Sequence, residues 1–214
     1  MARLRGVIYD LDGTLIDSRA DITDSVNAML RRLGLPTHED RVVWGFVGEG
    51  AELLLRRALG PLHQTRYPEA EPVWREEYGA RLLDKTRLFD GIAEILAAPP
   101  ALRAVLTNKP GAFARRIVDG LGVGAAFAAV LGGDEAPRKP APGGLLLLCA
   151  RLGIDPAEAL MVGDLPVDIA TGKAAGVPTC AVGWGPGEPS ALAEADHLCT
   201  TPAELGALLG RLGT

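Results

Sequence analysis

Two aspartates one residue apart, Asp10 and Asp12, end the first apolar run of the chain in "VIYDLDGTLIDS". Side chains at i and i+2 of a strand share a face, so both carboxyls are expected to project together. Two carboxylates so close repel, and one takes up a proton unless a cation sits between them. A hard divalent ion such as Mg²⁺ suits that position. Gly13 lets the chain turn sharply and expose backbone amides to an anion. The competing reading is a solvated turn, because D-x-D-G is short. An EF-hand is excluded, since its sixth loop position needs Gly and holds Leu15.

Three further clusters follow in order. "AVLTNKP" offers the Thr107 hydroxyl, with Asn108 and Lys109 at the start of a helix whose amino end favours anions. The same Thr-Asn-x-Pro also serves simply as a helix cap. "GGDEAPRKPAPGG" carries Lys139, a compact ammonium suited to a phosphoryl group or, equally, to a solvated loop. "MVGDLPVDIATGKAAG" carries Asp164 behind Gly163, and Asp168 in the first turn of a helix. Each acid alone could be a helix-start residue. Together they supply the oxygens that a Mg²⁺ site built on Asp10 and Asp12 would lack.

These clusters need a scaffold that brings strand ends together. Short apolar runs at 4–10, 101–107, 128–131, 159–162 and 179–182 read as buried strands. Amphipathic stretches at 113–121, 144–152, 167–175 and 203–212 alternate with them. That order predicts an α/β fold, a Rossmann-like parallel sheet flanked by helices, with ligands at the carboxyl ends of the strands. From about 16 to 83 the periodicity is helical throughout. "DITDSVNAMLRRLGL" puts Ile22, Val26, Met29, Leu30 and Leu33 on one face, before Gly34 and Pro36. The expected organisation is a core of 1–15 and 88–214 with an inserted all-α cap subdomain, 16–87, hinged near 15–18 and 84–90.

At 214 residues, 48% hydrophobic and 23% charged, the chain can bury a real core. Its net charge of −5 argues against nucleic acid or anionic membranes as partners. The apolar runs are too short to span a bilayer, and the amino-terminal run ends in Asp too soon for a signal peptide. Cys149, Cys180 and Cys199 lie singly, as expected of reduced thiols in a cytoplasmic protein, and His38, His63 and His197 are too scattered for zinc. "TGKAAG" lacks the flanking residues of a P-loop, and no G-x-S-x-G elbow is present.

With "DLDGTLIDS", "LTNKP", "RKPAP" and "GDLPVDI" followed by "KAAG", the chain resembles the haloacid dehalogenase superfamily. Within it, the resemblance is to phosphatases with a helical cap after the first motif, most of all the phosphoglycolate phosphatase-like branch. "FVGEGAELLLRRAL", "GWG" and "ADHLCTTPAELGALL" extend it over nearly the whole chain. The resemblance implies a Mg²⁺-dependent hydrolysis of a small phosphorylated metabolite, 2-phosphoglycolate first. It implies Asp10 as the nucleophile that forms an aspartyl-phosphate, and Asp12 as the acid and then base. Thr107 and Lys139 would hold phosphoryl oxygens, with Gly13 and Asn108 beside them. Mg²⁺ would be held by Asp10, the Asp12 carbonyl and Asp164, with Asp168 a ligand or a support. A sugar phosphomutase, or a nucleotide or pyrophosphate phosphatase, would use the same clusters, and a monomer and a homodimer are both compatible. A two-component receiver, the reading from another class, is about half as long and has no cap. Tyr9 and Asp90 depart from the family's usual Phe and Pro. "WGFVGEG" (44–50) is the candidate substrate-facing loop. Arg56 and Arg57 could meet an anionic leaving group, with a solvated helix face the favoured reading.

Overall fold

A computed structural model describes residues 3–98, 102–185, 187 and 192–213. The start of the run expected at 101–107, at Ala101, lies outside them. Six parallel strands make the main sheet: β1 (Gly6–Tyr9), β4 (Leu102–Leu106), β5 (Ala129–Leu131), β6 (Ala159–Gly163), β7 (Thr179–Val182) and β8 (His197–Cys199). Their order is β5-β4-β1-β6-β7-β8, with every neighbouring pair parallel. The chain therefore leaves the central strand β1 in one direction and returns through β6 to build the other half. The connections run to opposite sides at that point, which is where open parallel sheets bind ligands.

The strands form where branched apolar residues can be covered on both faces. On β1, Val7 and Tyr9 enter one buried cluster and Ile8 the opposite one, with Ala104, Leu148 and Met161. Helices α5 (Ile92–Ala97), α6 (Gly111–Gly120), α7 (Gly143–Leu152), α8 (Pro166–Ala175) and α9 (Pro202–Leu212) cover the sheet. Pro begins α8 and α9, where its missing amide donor costs nothing. Gly follows each of α7 and α8 in the left-handed conformation and ends it.

Between β1 and β4 the chain is mainly helical: α1 (Arg19–Arg32), α2 (Asp40–Trp44), α3 (Ala51–Leu59) and α4 (Tyr67–Ala80). The face read from the sequence, Ile22, Val26, Met29 and Leu30, is the buried face of α1. Both ends of this block pass through a small antiparallel ribbon, β2 (Ile16–Asp17) with β3 (Arg87–Leu88). Asp21, fully buried on α1, fixes the returning chain by accepting from the amides of Lys85 and Thr86 and from the Thr86 hydroxyl, at 2.7 to 3.1 Å. Helix α4 rests on α6 through an aromatic cluster. Trp74 stacks on Tyr78 at 5.3 Å, and Phe113 meets Tyr78 edge-on at 5.3 Å. Such pairs contribute about 0.5–1.5 kcal/mol each beyond their buried area.

Candidate active site

β1 ends at Tyr9, so Asp10 is the first residue beyond the sheet, and its amide continues the ladder to the Val162 carbonyl at 2.8 Å. Thr107 follows β4 and Asp164 follows β6 in the same way. Lys139 arrives by the loop that leads from β5 to α7, and Asp168 lies in the first turn of α8. Four separate sequence segments thus meet at the carboxyl edge around β1.

Carboxylate oxygens of Asp10, Asp164 and Asp168 lie within 4.8 Å of one another, all buried. The Lys139 ammonium stands among them, 2.8 Å from Asp10 Oδ1 and 2.6 Å from Asp168 Oδ1, with 1% of its side chain exposed. Burial pushes the Asp10 carboxyl up to about 7. Asp168 and Asp12 add to that rise, and Lys139 opposes it. Burial likewise raises Asp164 well above the usual carboxylate range, helped by Asp10 and Asp168. Burial alone would lower Lys139, but Asp10 and Asp168 outweigh it and hold the ammonium charged.

The three acids are not equivalent. Asp168 spends both oxygens inside the protein, accepting from Lys139 and, at 3.0 Å, from the Leu165 amide. Asp164 accepts from the Thr14 hydroxyl at 2.5 Å through Oδ1, while Oδ2 is buried with no partner. An orphaned carboxylate oxygen in the interior is costly, and a divalent cation is the usual remedy. The glycines around it keep this oxygen clear. A Cβ on Gly13 (φ 86°) or on Gly185 would collide with the Asp164 carboxylate. The donor set therefore fits a hard cation such as Mg²⁺, with Asp10 and Asp164 the open ligands and Asp168 a brace.

Asp12 departs from the picture of one cation shared with Asp10. Its side chain is outside the three-acid group and has its own ammonium. Lys109 Nζ lies 2.7 Å from Asp12 Oδ1, and the Ser18 hydroxyl donates to the same oxygen at 2.5 Å. Both aspartates still line one cleft that opens to solvent. Thr107, Asn108 and Lys109 line its sheet side, and Val47, Gly48, Leu54, Trp74 and Tyr78 its helical side. The Thr107 oxygen accepts from the Lys109 amide at 3.1 Å, which leaves its O–H to donate. Asn108 has a bracing role: its amide donates to the carbonyls of Gly48 (2.9 Å) and Lys139 (3.1 Å), and its oxygen accepts from the Lys139 amide at 2.9 Å. The segment 44–50 does reach the cleft, through Val47, Gly48 and Gly50. Arg56 pairs with Glu52 and stands 4.5 Å over the Tyr67 ring, and Arg57 pairs with Glu49, so both belong to a solvated helix face.

Tyr78 and Thr14 are neighbours of the site that the sequence does not single out, and Ser18 is expected there only as part of a hinge. Lys109 was visible in "TNKP", but nothing local says that its ammonium reaches Asp12 rather than an anion.

These carboxyls make a testable prediction about the metal-free protein. In the unfolded chain they lose their protons near pH 4, whereas folded Asp10 holds its proton to about 7. Between those values the folded state binds more protons, so stability falls as pH rises. The metal-free melting temperature should drop between pH 5 and 7.5. The increase on adding Mg²⁺ should be larger at pH 7.5 than at pH 5, because protons then compete less. Differential scanning fluorimetry reads both, and a Mg²⁺ shift that shrinks with rising pH would contradict the assignment.

Comparison with known proteins gives a consistent picture. The sequence profile described as haloacid dehalogenase-like hydrolase matches residues 4–176. A phosphoglycolate phosphatase of Chromobacterium violaceum is 36% identical over 217 residues, covering 96% of either chain. An N-acetylmuramic acid 6-phosphate phosphatase of Pseudomonas aeruginosa is 36% identical over 219 residues, covering 98% of this chain and 96% of that protein. The crystal structure of a predicted phosphoglycolate phosphatase from Haemophilus somnus superposes with a TM-score of 0.91 at 28% identity, over 97% of this chain and 99% of the other.

Proposed function

The chain belongs to the haloacid dehalogenase-like hydrolase family, and from that premise we propose that it hydrolyses a small phosphomonoester through an aspartyl-phosphate on Asp10, with Mg²⁺. The observation that carries the reading is the buried triad Asp10, Asp164 and Asp168 around Lys139, with one Asp164 oxygen left unpartnered, beside a cleft that Asp10 and Asp12 both line. Phosphoryl transfer asks mainly for in-line positioning and neutralisation of charge. When bound, the cation supplies charge neutralisation at the phosphoryl group and favours the ionised form of Asp10.

The chain's own residues divide the remaining work. Asp10, at the cleft floor, attacks phosphorus and later releases phosphate to water. Asp12 gives a proton to the leaving oxygen and afterwards takes one from the attacking water. Thr107 donates its O–H to a phosphoryl oxygen, and the Lys139 ammonium offsets the negative charge that gathers beside Asp10. Residues 16–87 act as a helical cap over a core of 1–15 and 88–214, excluding water from the cleft when seated. No helix among the described residues is long and apolar enough to cross a membrane.

The names of the relatives set the order of substrates, with 2-phosphoglycolate first and N-acetylmuramic acid 6-phosphate next. The test is phosphate release from these two, sugar phosphates, nucleoside monophosphates, pyrophosphate and p-nitrophenyl phosphate, with Mg²⁺ and with chelator. Repeated turnover with Mg²⁺ and loss of at least about 100-fold with chelator is expected. Equal rates in the two conditions, or isomerised substrate without free phosphate, would count against hydrolysis by this site.

A further inference from the structure

The Lys109 ammonium is 8% exposed as a residue and touches two groups from distant parts of the chain. One is Asp12 Oδ1 at 2.7 Å, across 97 positions of sequence. The other is the phenol oxygen of Tyr78 at 2.5 Å, with Nζ also 4.8 Å from the centre of that ring. An ammonium only donates, so Tyr78 Oη accepts from it. Tyr78 belongs to helix α4, on the opposite side of the cleft from Asp12. Its ring is fixed independently by the stack on Trp74 and the edge contact with Phe113 of α6, and 1% of it is exposed.

Both contacts to Asp12, from Lys109 and from Ser18, fall on Oδ1. That leaves Oδ2 of a residue lining the cleft to hold and move the proton. The direction in which Oδ2 points is then set by where Lys109 stands. Lys109 in turn is held by a residue of the helical block. If α4 moves off the cleft, the ammonium loses the acceptor that fixes its far side and keeps only Asp12.

We propose that Tyr78 is a positioning residue for the proton-transfer step: through Lys109 it orients the Asp12 carboxyl, so that Asp12 is aligned only while α4 is seated over the cleft. The inference rests on the reading of Asp12 as the proton-transfer group. It assigns to a residue outside the four sequence clusters the task of linking closure to chemistry. A group held within hydrogen-bond reach but misaimed loses much of its value, which is why orientation alone has kinetic consequences.

The test is a double-mutant cycle with p-nitrophenyl phosphate, whose stable leaving group keeps Asp12→Asn measurable. Tyr78→Phe removes the acceptor while retaining the ring and its packing. In the otherwise unchanged enzyme, kcat should fall on the order of 10-fold, with KM within about twofold. In the Asp12→Asn background the same change should cost nothing further, because residues acting as one unit are not additive. Lys109→Met should behave in the same way from the other end of the line, and Lys109→Arg should recover part of the loss. Lys109→Met also keeps the question answerable if Tyr78→Phe melts early. A full further loss in the Asp12→Asn background, a change in KM alone, or no loss at all would overturn the proposal. Asp12→Asn with undiminished turnover would instead remove the reading of Asp12, and the inference with it. Asp12→Asn that is crippled, with Tyr78→Phe additive to it, would remove only the inference.

Discussion

Asp10→Asn should lower steady-state turnover by on the order of 10⁴-fold or more, the scale seen when a covalent nucleophile is removed from a group acting as a unit. The substitution preserves shape and burial but removes the charge that attacks phosphorus. Enzyme mixed with substrate and quenched in acid should carry a phosphoryl group in the parent protein and none in the variant, read as a mass increment on the peptide containing Asp10. Stability should move the other way in the absence of metal. Asp10 is buried against Asp164 and Asp168, and burial raises its carboxyl to about 7. Above that pH the parent bears the cost of ionising it in the interior, while Asn bears none. The variant should therefore melt higher than the parent at pH 8 without Mg²⁺, and gain less from Mg²⁺. Retained turnover together with a retained phosphoryl mark would dismiss Asp10 as the nucleophile.

Asp10, Thr107 and Asp164 were legible because each sits just beyond a strand end, and strand ends are announced by a short branched run that breaks over Gly, Asn or Pro; Asp168 was legible four residues after Asp164, in the first turn of the helix that follows. The parallel sheet then guarantees that such residues meet. Lys139 was legible only through its Lys-Pro context, since a loop separates it from β5. The partner of Asp12 was not legible. Lys109 lies in the same four-residue cluster as Thr107, and its reach to Asp12 depends on where α4 places Tyr78, a tertiary fact without a local signature. The strand β8 was missed for a related reason: His-Leu-Cys beside Asp196 has no apolar run, and at the sheet edge it needs none. The ribbon of β2 with β3 is too short to have a period at all.

Lys139→Met should damage the fold itself, because it removes the ammonium that touches both Asp10 and Asp168 while leaving the carboxyls in place. Methionine fills nearly the same volume, so the loss is electrostatic and not a cavity. Removing one partner of a buried ion pair typically costs about 3–5 kcal/mol, because an uncompensated charge stays behind. The sign of the pH dependence identifies that cause. Asp10 and Asp164 already hold their protons above the usual carboxylate range, and without Lys139 they should hold them higher still. At pH 5 the Asp10 carboxyl is neutral and its share of the deficit should be absent. Above about pH 7 the parent ionises Asp10 beside Lys139 while the variant resists, so the deficit should grow and urea midpoints for parent and variant should diverge as pH rises. Adding Asp168→Asn to Lys139→Met removes one of the stranded charges and should return part of the stability at pH 8, with no return of activity. A deficit equal at both pH values would mean that Lys139 matters for packing alone. Mg²⁺ should narrow the gap at pH 8 by replacing some of the lost positive charge, although it cannot replace the contact to Asp168, whose other oxygen holds the Leu165 amide at the start of α8. The lysine and the cation are thus partial substitutes in charge but not in position.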